Sequence, residues 1–171
     1  IPKVTSAAEV QWVAGILAPK HPDLELIVLI EDQKGFENIR EIAKAAPQIS
    51  TIFLGSADFS GEIGSDLSLD ALHHLRSRMV LAASEAGIDS LDGCFFDPTD
   101  IDGLIAETQC VADMGFTGKA SYDAVQIPHI HNIFTPDTNS IDHARRVITA
   151  ITNSPTGQAR VDGISVNRAN L

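Results

Sequence analysis

Apolar and polar positions along the chain follow two periods in turn, and the alternation predicts strand, helix, strand, helix nearly throughout. Residues 1–4 have the pattern of a strand end. Ser6-Ala7-Ala8-Glu9 then has capping-box spacing, with Ser at the cap and Glu three residues on. Val10, Val13, Ile16 and Leu17 follow at helical spacing until Pro19 and Pro22 interrupt it. Residues 24–30 form a run that is apolar but for Glu25, as expected for a parallel strand buried on both faces. Helical spacing returns over 35–46, with Phe36, Ile39, Ile42 and Ala43 on one side, and a short apolar run over 51–54 stops at Gly55. After a loop containing Gly and Ser (60–65), the spacing predicts a long helix over 69–85, closed by Gly87. A strand over 88–91, an acidic loop over 92–98, a helix over 100–114 and a last strand over 116–120 complete the alternation. A helix over 140–151 precedes a polar tail rich in Ser, Pro, Gly and Asn.

Strands separated by helices of ten or more residues are βαβ units, which build parallel sheets. The chain carries five such units and no hairpin signal, so it is α/β: an open doubly wound sheet or part of a (β/α)8 barrel. Composition agrees, since 171 residues at 44% apolar and 20% charged suit a globular core. The net charge of −11 speaks against nucleic acid or an anionic membrane as partner, because neutralising phosphates needs clustered Lys and Arg. It leaves room for a small anion held by a few local cations or through a metal. Cys94 and Cys110 lie too far apart for a CxxC pattern and are read as reduced thiols of a cytoplasmic protein. The longest apolar run, 26–30, is far too short to span a bilayer, and no signal-peptide pattern opens the chain.

Ligands of parallel α/β folds sit at the carboxyl ends of the strands. Glu31 follows the run 24–30, and Asp58 follows 51–54 across Gly55-Ser56-Ala57. Taken singly, an acid after a strand is as often a helix cap. Two in consecutive units, facing one crevice without a neighbouring base, need a cation or a proton between them. Two carboxylates completed by waters or substrate oxygens is a Mg2+ arrangement.

The run Leu29-Ile30-Glu31-Asp32-Gln33-Lys34-Gly35 resembles the L-I-E-T-x-x-G motif of the citrate lyase beta-subunit family, within the HpcH/HpaI aldolase superfamily. Gly55-Ser56-Ala57-Asp58-Phe59 through Gly64 resembles its G-x-x-D-L-x-x-x-L-G motif, and Ile1-Pro2-Lys3-Val4-Thr5-Ser6-Ala7 its L-P-K-V-E-S-A strand. Leu91-Asp92-Gly93, Met114 to Lys119, Gln126-Ile127-Pro128 and Phe134-Thr135-Pro136 continue the resemblance in order. It implies a TIM (β/α)8 barrel of which this chain holds strands 4–8 over 1–152, with 153–171 a C-terminal tail reaching a neighbouring subunit. It implies Mg2+ held by Glu31 and Asp58, with Glu31 also at the substrate. The activity implied is a carbon–carbon lyase that splits or forms a citryl-, malyl- or citramalyl-CoA thioester, with acetyl-CoA and a 2-oxo acid as the other side. The metal is then a Lewis acid on the oxo acid. A homo-oligomer, trimer or hexamer, is part of the same implication.

Three departures accompany the resemblance. The family's substrate-holding Arg in a V-R-V-N strand has no counterpart here. Its I-H-P-x-Q-I segment becomes Tyr122-Asp123-Ala124-Val125-Gln126-Ile127, without the His and Pro. Its catalytic Asp in M-V-D-x-P is matched by Asn167, and an amide cannot serve as acid or base. The expectation is the C-terminal part of a chain of roughly 270 to 300 residues, inactive alone. The alternatives are a non-catalytic paralogue or complex subunit that binds metal and oxo acid, or a class II aldolase on free 2-oxo acids. Among other residues, His73 and His74 are expected at a helix surface, and His129 and His131 on one side of an extended, interfacial segment. Asp92, Asp97 and Asp100 are expected in turns and a helix cap. Lys3 and Lys119 are expected in solvent at strand ends, with CoA phosphates the alternative. Ser56 lacks the context of a nucleophile.

Overall fold

The computed structural model describes residues 1–170, with the side chain of residue 170 outside the description. Two compact units make up the described chain, the first ending at Phe134 and the second starting at Thr135. The first opens with residues 1–4, which the sequence presents as a strand end. Ile1 exchanges backbone hydrogen bonds with the neighbouring strand, donating to the Ile27 carbonyl at 2.6 Å and accepting from the Leu29 N–H at 2.9 Å. Helix α1 (Ala7–Leu17) starts where expected, with Glu9 accepting from the backbone N–H groups of Thr5 at 2.7 Å and Ser6 at 3.1 Å.

Strand β1 (Leu26–Ile30) is followed by two short helices, α2 (Gln33–Glu37) and α3 (Ile39–Ala43), where the periodicity predicts one. The break is at Asn38, whose side-chain amide donates to the Thr5 carbonyl at 2.8 Å and whose backbone leaves helical geometry. Strand β2 (Ile49–Leu54) leads into α4 (Ser56–Ile63). Helix α5 (Leu69–Ala86) is capped by Ser68 and ends at Gly87, as predicted. Strand β3 (Asp89–Asp92), helix α6 (Ile101–Met114) capped by Asp100, strand β4 (Gly118–Lys119) and helix α7 (Ile127–Phe134) complete the unit. Asp100 is thus the predicted cap, and Asp97 holds a turn by accepting from Thr99. His129 and His131 lie on α7 rather than on an extended segment, and two residues along a helix put them on different sides.

The four strands pair in the order β1-β2-β3-β4, all parallel, with Ile30 beside Leu54, Phe53 beside Leu91 and Asp92 beside Lys119. Val28, Ile30, Ile52 and Leu54 are fully buried on one face among Ile39, Ile42, Leu72 and Met79 of the helices. The other face differs from the sequence expectation of burial on both sides. Ile27 is 43% exposed there, and Leu29 and Phe53 are half-buried.

The second unit holds α8 (Thr138–Thr152), capped by Asp137, and an antiparallel hairpin of β5 (Gln158–Val161) and β6 (Ile164–Asn167). Val147 and Ile151 of α8 form a small core with Val161 and Val166 of the hairpin, so α8 groups with the C-terminal segment. The hairpin corrects the reading of this segment as a tail without a hairpin signal. Its two-residue turn is Asp162-Gly163, both at positive φ (52° and 80°), which is the pair that a tight hairpin turn selects. Asp162 accepts from Arg146 at 2.6 Å and meets His143 at 3.1 Å, and the Arg146 hydrogen bond, with His143 second, holds its carboxyl below the usual range. Among the described residues, no helix is long and apolar enough to cross a membrane.

Candidate functional site

Side chains alternate between the two faces of a strand, so Ile27, Leu29 and Glu31 form one row, on the face opposite the helix-covered core. Glu31 therefore follows β1 directly, with its carboxylate at the strand's carboxyl end, 7% exposed. Asp58 stands in the first turn of α4, immediately beyond β2. The two carboxylates converge on a single ammonium. Lys3 Nζ donates to Asp58 Oδ1 at 2.7 Å and lies 3.9 Å from Glu31 Oε1, while the Lys3 backbone N–H donates to that same Glu31 oxygen at 2.7 Å. The Asp58 hydrogen bond holds the Lys3 ammonium above the usual lysine range. Lys3 is thus exposed, as expected, and in addition paired with Asp58.

Close backbone approach makes the convergence possible. A Cβ on Gly55 would collide with Glu31 Cβ and stand 2.7 Å from Glu31 Oε2. Only glycine lets the β2–α4 turn pass so near the carboxylate. Beside the pair opens a cavity of about 180 Å³, lined by Glu31, Asp58, Leu29, Phe53, Cys94 and Phe96 together with residues 54–57. Burial raises the Cys94 thiol, which keeps it protonated rather than nucleophilic. A larger groove of about 540 Å³ lies at the amino ends of β2 and β3, around Lys44, Pro47 and Ile88, and brings no two chemically active groups together.

Hard carboxylate oxygens converging on one positive charge are the donor set of Mg2+, which keeps several waters and rarely takes a full protein cage. No group of three or more His, Cys, Asp or Glu side chains arranged for a metal occurs among the described residues. An ion at Glu31 and Asp58 would therefore keep positions for water or for ligand oxygens. Asn167, the third residue singled out from the sequence, is the last residue of β6 in the second unit, and its Oδ1 accepts from the Ala169 N–H at 2.8 Å.

The loop 93–96 that walls the cavity is pinned from behind by groups the sequence reading misplaces. Asp92, expected in a turn, ends β3 on the helix-covered side and is fully buried. It accepts from Arg76 Nε of α5 at 2.8 Å and from Lys119 Nζ of β4 at 2.7 Å. Lys119, expected in solvent, also donates to Glu107 of α6 at 2.6 Å and to the Gly93 carbonyl at 2.8 Å. Two cations and two anions thus form a buried, neutral tetrad. Gln126, fully buried, donates to the Phe95 carbonyl at 2.8 Å and accepts from the Tyr122 N–H at 2.9 Å. Although the family pattern's His and Pro are replaced by Asp123 and Ala124, Asp123 accepts from the Val125 N–H at 3.0 Å and caps an ordered turn. Asp92 and Lys119 are register partners on the face that Ser90 also occupies, a placement that strands of four and two residues do not announce in the sequence.

Comparison with known proteins gives consistent neighbours. Residues 1–124 match the family model described as HpcH/HpaI aldolase/citrate lyase. A (3S)-malyl-CoA thioesterase of Cereibacter sphaeroides is 34% identical over 176 residues, covering 100% of this chain and 60% of that protein. An L-malyl-CoA/beta-methylmalyl-CoA lyase of the same species is 26% identical over 196 residues, covering 100% and 61%. The crystal structure of CitE from Mycobacterium tuberculosis, in complex with magnesium, acetoacetate and coenzyme A, superimposes with a TM-score of 0.74 at 29% identity, covering 99% of this chain and 62% of that one. The chain spans about 60% of the length of the curated relatives it matches.

Proposed function

The chain belongs to the HpcH/HpaI aldolase/citrate lyase family, and from that premise we propose a Mg2+-dependent carbon–carbon lyase acting on a 3-hydroxyacyl-CoA thioester of the malyl, citramalyl or citryl type. The observation that carries this reading is the convergence of Glu31 and Asp58 on one cation beside a small cavity. In this role the two carboxylates hold Mg2+, Glu31 also facing the substrate, and the ion when bound supplies Lewis-acid polarisation of the 2-oxo acid carbonyl. Leu29, Phe53 and Phe96 give the cavity apolar walls that exclude water from the bond being broken. Asn167 takes the family's acid–base position in this reading, and its amide cannot carry a proton to or from the acetyl carbon.

The same reading makes the sheet an arc of a (β/α)8 barrel, strands four to eight counting residues 1–4 as the first. Two features support it: the strand order is sequential with no reversal, and the apolar row at Ile27, Leu29 and Phe53 faces away from the helices. The C-terminal segment 153–171 is then the tail that reaches a neighbouring subunit of a homo-oligomer.

A second reading, a malyl-CoA thioesterase, is favoured by the 34% identity to a protein of that name, against 26% for the lyase. Products separate the two. With malyl-CoA and Mg2+, a lyase releases acetyl-CoA and glyoxylate without free thiol, whereas a thioesterase releases malate and free CoA. Citramalyl- and citryl-CoA extend the test to the oxo acid. The expected result is acetyl-CoA release that stops on addition of EDTA. Free CoA as the first product would overturn the lyase reading. Turnover of none of the three thioesters would leave a non-catalytic binder of metal and oxo acid, the outcome to which Asn167 points.

A further inference from the structure

We propose that Lys3 is a built-in counter-cation of the carboxylate pair: its ammonium occupies the divalent-ion position and exchanges with the ion, while its backbone N–H holds Glu31 in place throughout. The inference rests on the reading of Glu31 and Asp58 as metal ligands.

The two contacts of Lys3 differ in kind. Its backbone is fixed by its neighbours, since Ile1 is hydrogen-bonded to β1 on one side and Val4 is buried on the other. Between them Lys3 takes φ +51°, an unusual conformation for a residue with a side chain. The result is a main-chain N–H 2.7 Å from Glu31 Oε1. This donor cannot leave without dismantling the strand edge, so it orients Glu31 with or without metal.

The ammonium is free to move. The Lys3 side chain is 63% exposed and its partner Asp58 is 58% exposed, so their 2.7 Å contact is an ion pair in contact with water. Pairs of that kind are weak enough to open readily. Without a cation, Glu31 and Asp58 would repel and the pair would splay. A tethered single charge keeps them together, and a double charge outcompetes it at the same oxygens. Once displaced, the ammonium remains beside the site on a flexible stem, while the main-chain donor stays on Glu31.

Competition predicts a direction opposite to that of an ordinary supporting residue. Removing a ligand or its support weakens metal binding, whereas removing a competing cation strengthens it. Mn2+ binding is to be measured by electron paramagnetic resonance on the intact protein, without substrate, for wild type, Lys3→Met, Lys3→Arg and Glu31→Gln. Lys3→Met keeps the backbone donor and the length of the side chain. It is expected to bind Mn2+ about two- to fivefold more tightly than wild type, the range an exposed ion pair supports. Lys3→Arg, which retains a competing charge, should stay near wild type. Thermal melting gives an independent reading: without metal Lys3→Met should melt below wild type, and saturating Mn2+ should raise its midpoint by the larger amount. Unchanged or weaker Mn2+ binding by Lys3→Met, with binding lost in Glu31→Gln, overturns the exchange and leaves the metal site standing. Mn2+ binding that Glu31→Gln does not alter, or none in wild type, overturns the metal reading and the exchange with it.

Discussion

Replacing Lys119 by methionine is expected to lower stability by about 3–5 kcal/mol, the cost of breaking a buried ion pair by removing one partner. The Lys119 side chain is completely buried, and its ammonium satisfies Asp92, Glu107 and the Gly93 carbonyl at once. Methionine fills the space but leaves the two carboxylates against a single guanidinium, so the cluster carries an uncompensated charge in a low-dielectric setting. Arg76 cannot make up the loss. Its Nε and Nη2 already serve Asp92, and Nη2 also lies 3.6 Å from Glu107 Oε1, so its one positive charge is shared by both carboxylates in the intact cluster. Restoring neutrality should restore stability. In the double variant Lys119→Met/Glu107→Gln the net charge of the cluster returns to zero, and the loss should be well below the sum of the single losses, with a coupling of about 0.5–3 kcal/mol. Urea denaturation of the four proteins of the cycle measures this. A single-variant loss under about 1 kcal/mol, or strict additivity, would show that the tetrad is not what joins α5, α6, β3 and β4.

The second large effect is local to the carboxylates. Gly55→Ala is expected to cost about 1–3 kcal/mol, the usual penalty for overpacking, and to reduce divalent-ion binding as well. The added methyl would run into Glu31 Cβ and crowd its Oε2, so the β2–α4 turn and the Glu31 side chain cannot both keep their places. Gly61→Ala provides the matching control within the same helix. A Cβ there meets nothing within 4 Å, and the position is helical. It should be stabilised by about 0.4–1 kcal/mol through the lost freedom of the unfolded chain. Equal effects of the two substitutions on ion binding would contradict the account of Gly55.

The pattern of apolar positions specified the long helices and the parallel sheet because their signals are local. Ser68 and Gly87 bracket α5, and Asp100 opens α6, each by a hydrogen bond or backbone geometry that neighbouring residues determine. Glu31 and Asp58 stand out in the sequence for a similar reason: Glu31 follows an apolar run directly and Asp58 follows the next one across Gly55-Ser56-Ala57, at the end where parallel sheets bind ligands. What escaped the sequence depends on partners distant along the chain. Asn38 splits the helix over 35–46 through a bond to Thr5, thirty-three residues away. Asp92 and Lys119 look like loop and surface residues because β3 and β4 are only four and two residues long, too short for alternation to show which face they occupy. The hairpin was hidden by its composition. The Asp162-Gly163 turn is a strong signal, but the flanking strands offer few apolar residues around it, mainly Val161, Ile164 and Val166. The pairing of Lys3 with Asp58 and Glu31 depends on a positive φ that no side-chain pattern announces.

In the proposed role Glu31 and Asp58 together hold one divalent ion. Isothermal titration of Mg2+ into wild type, Glu31→Gln and Asp58→Asn tests it without reference to any substrate. The account predicts a single site in wild type. Each substitution should weaken that site by at least about tenfold, since even residues that merely support a ligand cost 10- to 100-fold when changed. Wild-type affinity retained in both variants would contradict it.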